Sequence, residues 1–175
     1  MIVNAIKLAR QQEHLNGEMP LTDLSNVLNN DERIQLERQV DLLRYALEFD
    51  NQPVDSANER RAVVVKQNIK CALELICHSS GECYQQPIEV FSQVALLNDP
   101  EDAKTLREDL EAFICQPEQL DIAALLAEEV ILALPLVPRN PDSKQLNWTS
   151  GDEEGFADAQ QADNPFAALQ VLQNK

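Results

Sequence analysis

Four cysteines and two histidines have the widest chemical reach in this chain: Cys71, Cys77, Cys83 and Cys115, with His14 and His78. Thiolates and imidazoles could hold a zinc ion, or two thiols could exchange electrons. Their spacing favours neither. Cys77 and Cys83 have five residues between them, where a zinc knuckle has roughly two to four and a second Cys or His pair. Cys71 and Cys77 share one phase of an alternating apolar run, which reads as core thiols. A redox role would need two of the four to approach within about 7 Å between Cα atoms.

Carboxylates offer a second chemistry. Glu128-Glu129 and Asp152-Glu153-Glu154 could do acid–base or metal work, but acidic runs on helix surfaces and tails are usually solvated. Glu129 borders an apolar face, so it is expected to be partly buried and salt-bridged. With 4 glycines, a phosphate-cradling loop could hardly be built. No arrangement reads as an active site. The expectation is a protein that is not an enzyme, with no cofactor, no metal and no small-molecule substrate.

Cations are the third possibility. Arg33, Arg38, Arg44, Arg60, Arg61, Lys66 and Lys70 all lie in the first half and could meet phosphates if one sheet face gathered them. Aromatic stacking partners near them are sparse, Tyr45 and Phe49, so the usual single-strand platform is weak. The whole chain argues against polynucleotide. Its 175 residues carry 14 Lys and Arg against 30 Asp and Glu, a formal charge of −16. Residues 1–97 hold 9 basic and 14 acidic side chains, and residues 98–175 hold 5 and 16. Repulsion from RNA and attraction to a basic protein follow from that balance.

Elements must position these groups. Residues 5–15 read as a short amphipathic helix or a lead-in segment, and Leu15-Asn16-Gly17-Glu18 as a turn or strand edge. Thr22 and Asp23 open a short helical run with Leu24, Val27 and Leu28 on one face, ended by Asn29-Asn30-Asp31. Over 33–50, Leu36, Val40, Leu43 and Leu47 fit a helical stripe, while Leu43, Tyr45, Leu47 and Phe49 alternate as in a strand. Asn51-Gln52-Pro53 reads as a turn. Val63 to Cys77 and Ile88 to Leu96 alternate around a Ser-Ser-Gly turn, an antiparallel hairpin. The polar stretch from Asp99 to Asp109 has room for a turn of helix, and Ala112 to Cys115 is a short strand candidate closed by Pro117. From Asp121, a plausible N-cap, helical spacing runs to Pro135 and Pro138. The longest apolar run, Val130 to Val137, is eight residues, far short of the roughly 20 that cross a bilayer. No apolar leader follows Met1. A cytoplasmic protein with no membrane association is expected.

Beyond Arg139 the chain is polar and acidic, then closes on Asn164-Pro165-Phe166 with Leu169 and Leu172. Three parts are expected: a domain over 1–138, a flexible acidic linker over 139–163, and a short amphipathic segment over 164–175. The last is a form suited to docking on a partner or back on its own domain.

Asp121 to Pro138, with its Leu-Ala-Leu-Pro, resembles the signature of the YceD-like large ribosomal RNA subunit accumulation proteins. Asn164-Pro165-Phe166-Ala167-Ala168-Leu169 is similar to that family's closing motif, and Gln12 to Gly17 to its early segment. The hairpin around Leu73 to Val90 lies where the family carries a Leu-Glu-Cys-x-x-Cys stretch. Here Ser80 stands at the first thiol position, Cys83 at the second, and no cysteine follows Cys115. Any metal held by those thiols in relatives would be lost here.

The resemblance implies a cytoplasmic bacterial protein needed for accumulation of 23S ribosomal RNA, with no catalytic residue. It implies strand over 33–50 and an α+β fold: an antiparallel sheet, partly barrel-like, with a few short helices and a disordered acidic tail. The partner expected is a basic ribosomal protein or assembly factor, met by Glu128, Glu129, Asn164, Pro165, Phe166 and Leu169. Contact with rRNA, direct or indirect, is the alternative, through the seven cations named above.

Overall fold

The computed structural model describes residues 1–24, 28, 34, 42–55 and 60–143. Residues Met1–Pro141 form one compact unit. Its centre is the hairpin that the alternation announces. Strand β4 (Arg61–Ile76) pairs antiparallel with β5 (Cys83–Leu97) from Val63↔Leu96 to Ile76↔Cys83. The turn between them closes through Cys77 N–H to Glu82 O and Gly81 N–H to Cys77 O, both at 2.8 Å. Gly81 has φ +71 there, a conformation that a Cβ would strain.

The remaining strands of the main sheet are β2 (His14–Pro20), β3 (Leu42–Pro53) and β6 (Glu111–Ile114). The order is β2-β3-β4-β5-β6. The two end strands are not joined, so the sheet is open where a partial barrel was expected. A second departure is β6, which runs parallel to β5. Residues 98–110 supply the dozen or more that a parallel crossover requires, including a 3₁₀ turn over Pro100–Thr105 capped by the Asp99 carboxylate. Parallel pairing therefore follows from the connection and not from the strand's own four residues.

Two further elements differ from the local signals. Leu15 to Glu18 forms no turn but lies inside β2, at the edge of the sheet, and a glycine suits position 17 because the Tyr45 ring occupies the space a Cβ there would need: its hydroxyl would be 2.6 Å away. Asn51-Gln52-Pro53 continues β3 against β4 as far as Pro53↔Arg61. Pro53 is tolerated as the last residue of the strand, beyond the reach of β2.

A short strand β1 (Ile2–Val3), which precedes helix α1 (Ala5–Gln11) in the chain, pairs with β7 (Leu120–Asp121), which follows the strands of the main sheet. The Asn4 carboxamide caps α1 by accepting from Lys7 N–H at 2.9 Å. Helix α2 (Ile122–Leu132) starts where Asp121 does double duty: its Oδ1 accepts from Ala123 N–H and from the chain's terminal ammonium, each at 3.1 Å. Ile122, Leu125, Leu126 and Val130 of α2 are fully buried against Leu43, Leu47, Ile69 and Leu73 of the inner sheet face in the same core. Fully burying one such side chain is favourable by roughly 1.5–3 kcal/mol, so this helix fixes the position of everything on its outer surface. A smaller cluster, Val54, Val64, Ala95, Leu97 and Leu110, closes one end of the opposite face. Among the described residues no helix is long and apolar enough to cross a membrane.

Candidate functional site

Strand phase decides where the cations stand. Arg44, Lys66 and Lys70 all point away from the core, on the outer sheet face. Arg44 and Lys70 are opposite one another across β3 and β4, but each has its own carboxylate. Arg44 Nε donates to Glu18 at 2.9 Å, and Lys70 Nζ lies 2.6 Å from Glu89. Four side chains thus form a row across β2, β3, β4 and β5, two central cations flanked by two carboxylates, with no excess charge. Arg60 pairs with Asp102, and the Arg61 guanidinium donates to the Asn51 carbonyl. Arg33 and Arg38 lie outside the described residues.

The aromatic side chains expected beside these cations face the other way. Phe49 is 2 % exposed in the core, and Tyr45 packs on Gly17. The exposed ring is instead Phe91, at 68 %, with Lys70 Nζ 5.9 Å from its centroid. Alternation carried that signal: Val90, Ser92 and Val94 face inward, so Phe91 between them must face out.

Acidic groups are distributed differently. Residues 108–138 contain seven carboxylates and no Lys, Arg or His. This tract builds β6, the 3₁₀ turn Pro117–Gln119, β7, α2 and the segment after it. Two of the seven are neutralised from outside: Asp109 by a two-pronged ion pair with Arg107, which holds its carboxyl below the usual range, and Asp121 by the terminal ammonium. Glu111, Glu118 and Glu128 are exposed, and their fields overlap. Glu118 and Glu128, together with the larger effect of burial, push the Cys115 thiol up to about 11.

Glu129 departs from expectation. It is 6 % exposed, and among the described residues its carboxylate meets no cation; the Ser92 hydroxyl donates to it at 2.8 Å. Burial raises its pKa, the Ser92 bond opposes this, and Glu111 and Glu128 raise it further. Packed between α2 and β5, it is unavailable to a partner. Glu128, its neighbour, remains accessible. Asn164, Pro165, Phe166 and Leu169 lie outside the described residues.

From the last residue of α2 onward the chain exposes a run of apolar groups. Leu132 is 72 % exposed, Leu136 91 % and Val137 48 %, while Leu134 between them is 5 % exposed. Leu132 shares the helical spacing that starts at Asp121, but α2 ends there. The last turn tightens through Leu134 N–H to Ile131 O at 3.1 Å, because the residue before Pro135 is disfavoured in helix.

None of the four thiols is in a disulfide, and among the described residues no three His, Cys, Asp or Glu side chains gather as a metal site. Cys77 sits in a nest of donors: Asn140 N–H at 3.3 Å and Ser79 Oγ at 3.2 Å, with Ser80 contributing from side chain and backbone. These hold its pKa well below the ordinary thiol value, against the raising effect of burial. His78 N–H donates to Pro138 O at 2.8 Å, so the hairpin turn and residues 138–140 are fastened together.

Residues 65–173 match the family model of the large ribosomal RNA subunit accumulation protein YceD. The chain belongs to the YceD family. A relative is the large ribosomal RNA subunit accumulation protein YceD of Haemophilus influenzae, 29% identical over 123 residues, which cover 66% of this chain and 68% of that protein. No solved structure matches. The YceD match takes in most of β4 and all of β5, β6 and α2, and so includes the whole acidic tract. The family is described by the RNA whose accumulation it supports and not by a reaction.

Proposed function

We propose that this YceD-family chain is a non-enzymatic ribosome biogenesis factor that supports the synthesis, processing or stability of 23S ribosomal RNA in the cytoplasm. It does so by holding a basic protein, a ribosomal protein or an assembly factor, on its acidic side. The carrying observation is the asymmetry between the two charge signs. Of the three described cations that the outer sheet face gathers, Arg44 and Lys70 are met by carboxylates, Glu18 and Glu89, while residues 108–138 have acids and no cation of their own. A polyanion gains little from paired cations, since counterion release needs free Lys and Arg. A cationic polypeptide gains from the acidic tract at every approach.

Deletion of the gene, followed by sucrose-gradient ribosome profiles, tests the role in large-subunit accumulation. Loss of 23S RNA and of large subunits, restored by the intact chain, is expected. Unchanged profiles would overturn it. A second reading, direct contact with an rRNA precursor, draws on one observation: Phe91 is an exposed ring beside Lys70, on the face that also carries Arg44 and Lys66. Substituting Phe91→Ala separates the two, because only stacking on RNA depends on that ring.

A further inference from the structure

We infer that the ledge formed by Leu132, Leu136 and Val137, with Glu128 below it, is where a cationic amphipathic segment of a partner protein docks. The inference rests on the reading above and gives it a location and a recognition chemistry.

Single exposed leucines need no explanation. Here three large apolar side chains project from six consecutive residues, one of them 91 % exposed. The stretch that bears them is also held in shape. Ala133 N–H donates to Glu129 O and Leu134 N–H to Ile131 O, each at 3.1 Å. Leu134 is anchored in the core, Pro138 is buried, and its carbonyl accepts from His78 N–H at 2.8 Å. Pro135 restricts the backbone between these anchors. The apolar groups are therefore presented in a fixed arrangement, which lowers the ordering cost of binding.

Charge selects the occupant. Glu128 is exposed one helical turn before Leu132, and its field reaches Cys115 and Glu129 together with those of Glu118 and Glu111. No cation lies between residues 108 and 138, and the first one beyond is Arg139. An RNA backbone or an anionic lipid surface would bring phosphates onto these carboxylates. A second copy would bring another chain of formal charge −16. A helix or extended segment with leucine-type side chains flanked by Lys and Arg satisfies both features, its apolar face on the ledge and its cations over Glu128.

The test uses the full chain and two dye-labelled synthetic peptides of equal positive charge, one with leucines on one face and one with serines in their place. Fluorescence anisotropy should show binding of the leucine peptide and weaker binding of the serine peptide. The double variant Leu132→Ser, Leu136→Ser alters exposed positions only and should weaken the leucine peptide by roughly tenfold or more, the factor of a 1.4 kcal/mol loss. Glu128→Lys should weaken both peptides and flatten their salt dependence. Unchanged affinity in the double variant, with its circular dichroism intact, overturns the ledge but leaves the basic-partner reading standing. Failure of the wild-type chain to bind either peptide, with capture of labelled rRNA instead, overturns both. Self-association of the wild-type chain in sedimentation equilibrium, abolished by the double variant, would make the ledge a homodimer contact and also overturn the inference.

Discussion

Ser92 and Glu129 give opposite predictions for two small substitutions at one hydrogen bond. The Glu129 carboxylate is buried beneath α2, receives the Ser92 hydroxyl at 2.8 Å, and is near Glu111 and Glu128. Burial raises its pKa above the ordinary 4.5, so the folded state binds the proton more tightly than the unfolded chain does. That contribution to stability is complete below the unfolded value and is lost as pH rises through the folded one. Above its folded pKa the charged form depends on Ser92, and a hydrogen bond to a charged group is worth about 1.5–3 kcal/mol. Below it the bond joins neutral partners and is worth about 0.5–1.5 kcal/mol. Ser92→Ala should therefore lower the urea midpoint by about 1 M at the higher pH, and by less at the lower. Glu129→Gln keeps an acceptor for Ser92 and removes the charge, so it should raise the midpoint at high pH and flatten its pH dependence. Gln67, opposite Ser92 in register and 3 % exposed, has no hydrogen-bond partner for either amide atom among the described residues, so it offers Glu129 little relief. Equal losses for both variants at high pH, or a Ser92→Ala loss independent of pH, would refute this reasoning.

Other perturbations read other parts of the fold. Gly17→Ala must displace the Tyr45 ring, and should cost about 1–3 kcal/mol as an overpacked contact in thermal unfolding; Gly17→Ala combined with Tyr45→Leu should recover much of that loss. Cys77→Ala removes the acceptor for Asn140 N–H, and hydrogen exchange should speed at Asn140 while the amides of β4 stay protected. Breaking the exposed Lys70–Glu89 pair with Lys70→Met should change stability by less than about 1 kcal/mol. Phe91→Ala should leave binding of the cationic leucine peptide unchanged.

Strict alternation made β4 and β5 legible, and Asp121 with the apolar spacing after it gave α2. The same alternation fixes which face each side chain takes, whereas proximity in sequence to Arg44 alone suggests Tyr45 and Phe49 as stacking partners. Strand phase puts Phe49 in the core and Phe91 outside. Local turn chemistry misled at Asn16-Gly17, where the glycine makes room for an aromatic ring on the neighbouring strand. The parallel direction of β6 depends on the path of residues 98–110, which no pattern within Glu111–Ile114 encodes. Glu129 looked ready for a salt bridge because acids beside apolar faces often find a cation. Here the tract around it contains none, and a serine from the sheet takes that place. The exposed ledge was hidden because Leu132 shares the helical spacing of α2 yet is that helix's last residue, and Leu136 and Val137 lie beyond its end.

The central claim is that the acidic side receives protein and not polynucleotide. Purified large-subunit proteins and deproteinised 23S RNA, passed separately over the immobilised full chain at rising salt, test it most directly. Retention of a basic protein fraction that elutes as salt increases, with RNA in the flow-through, is the predicted result. Salt-sensitive retention of the naked RNA, with the protein fraction passing through, would contradict the account.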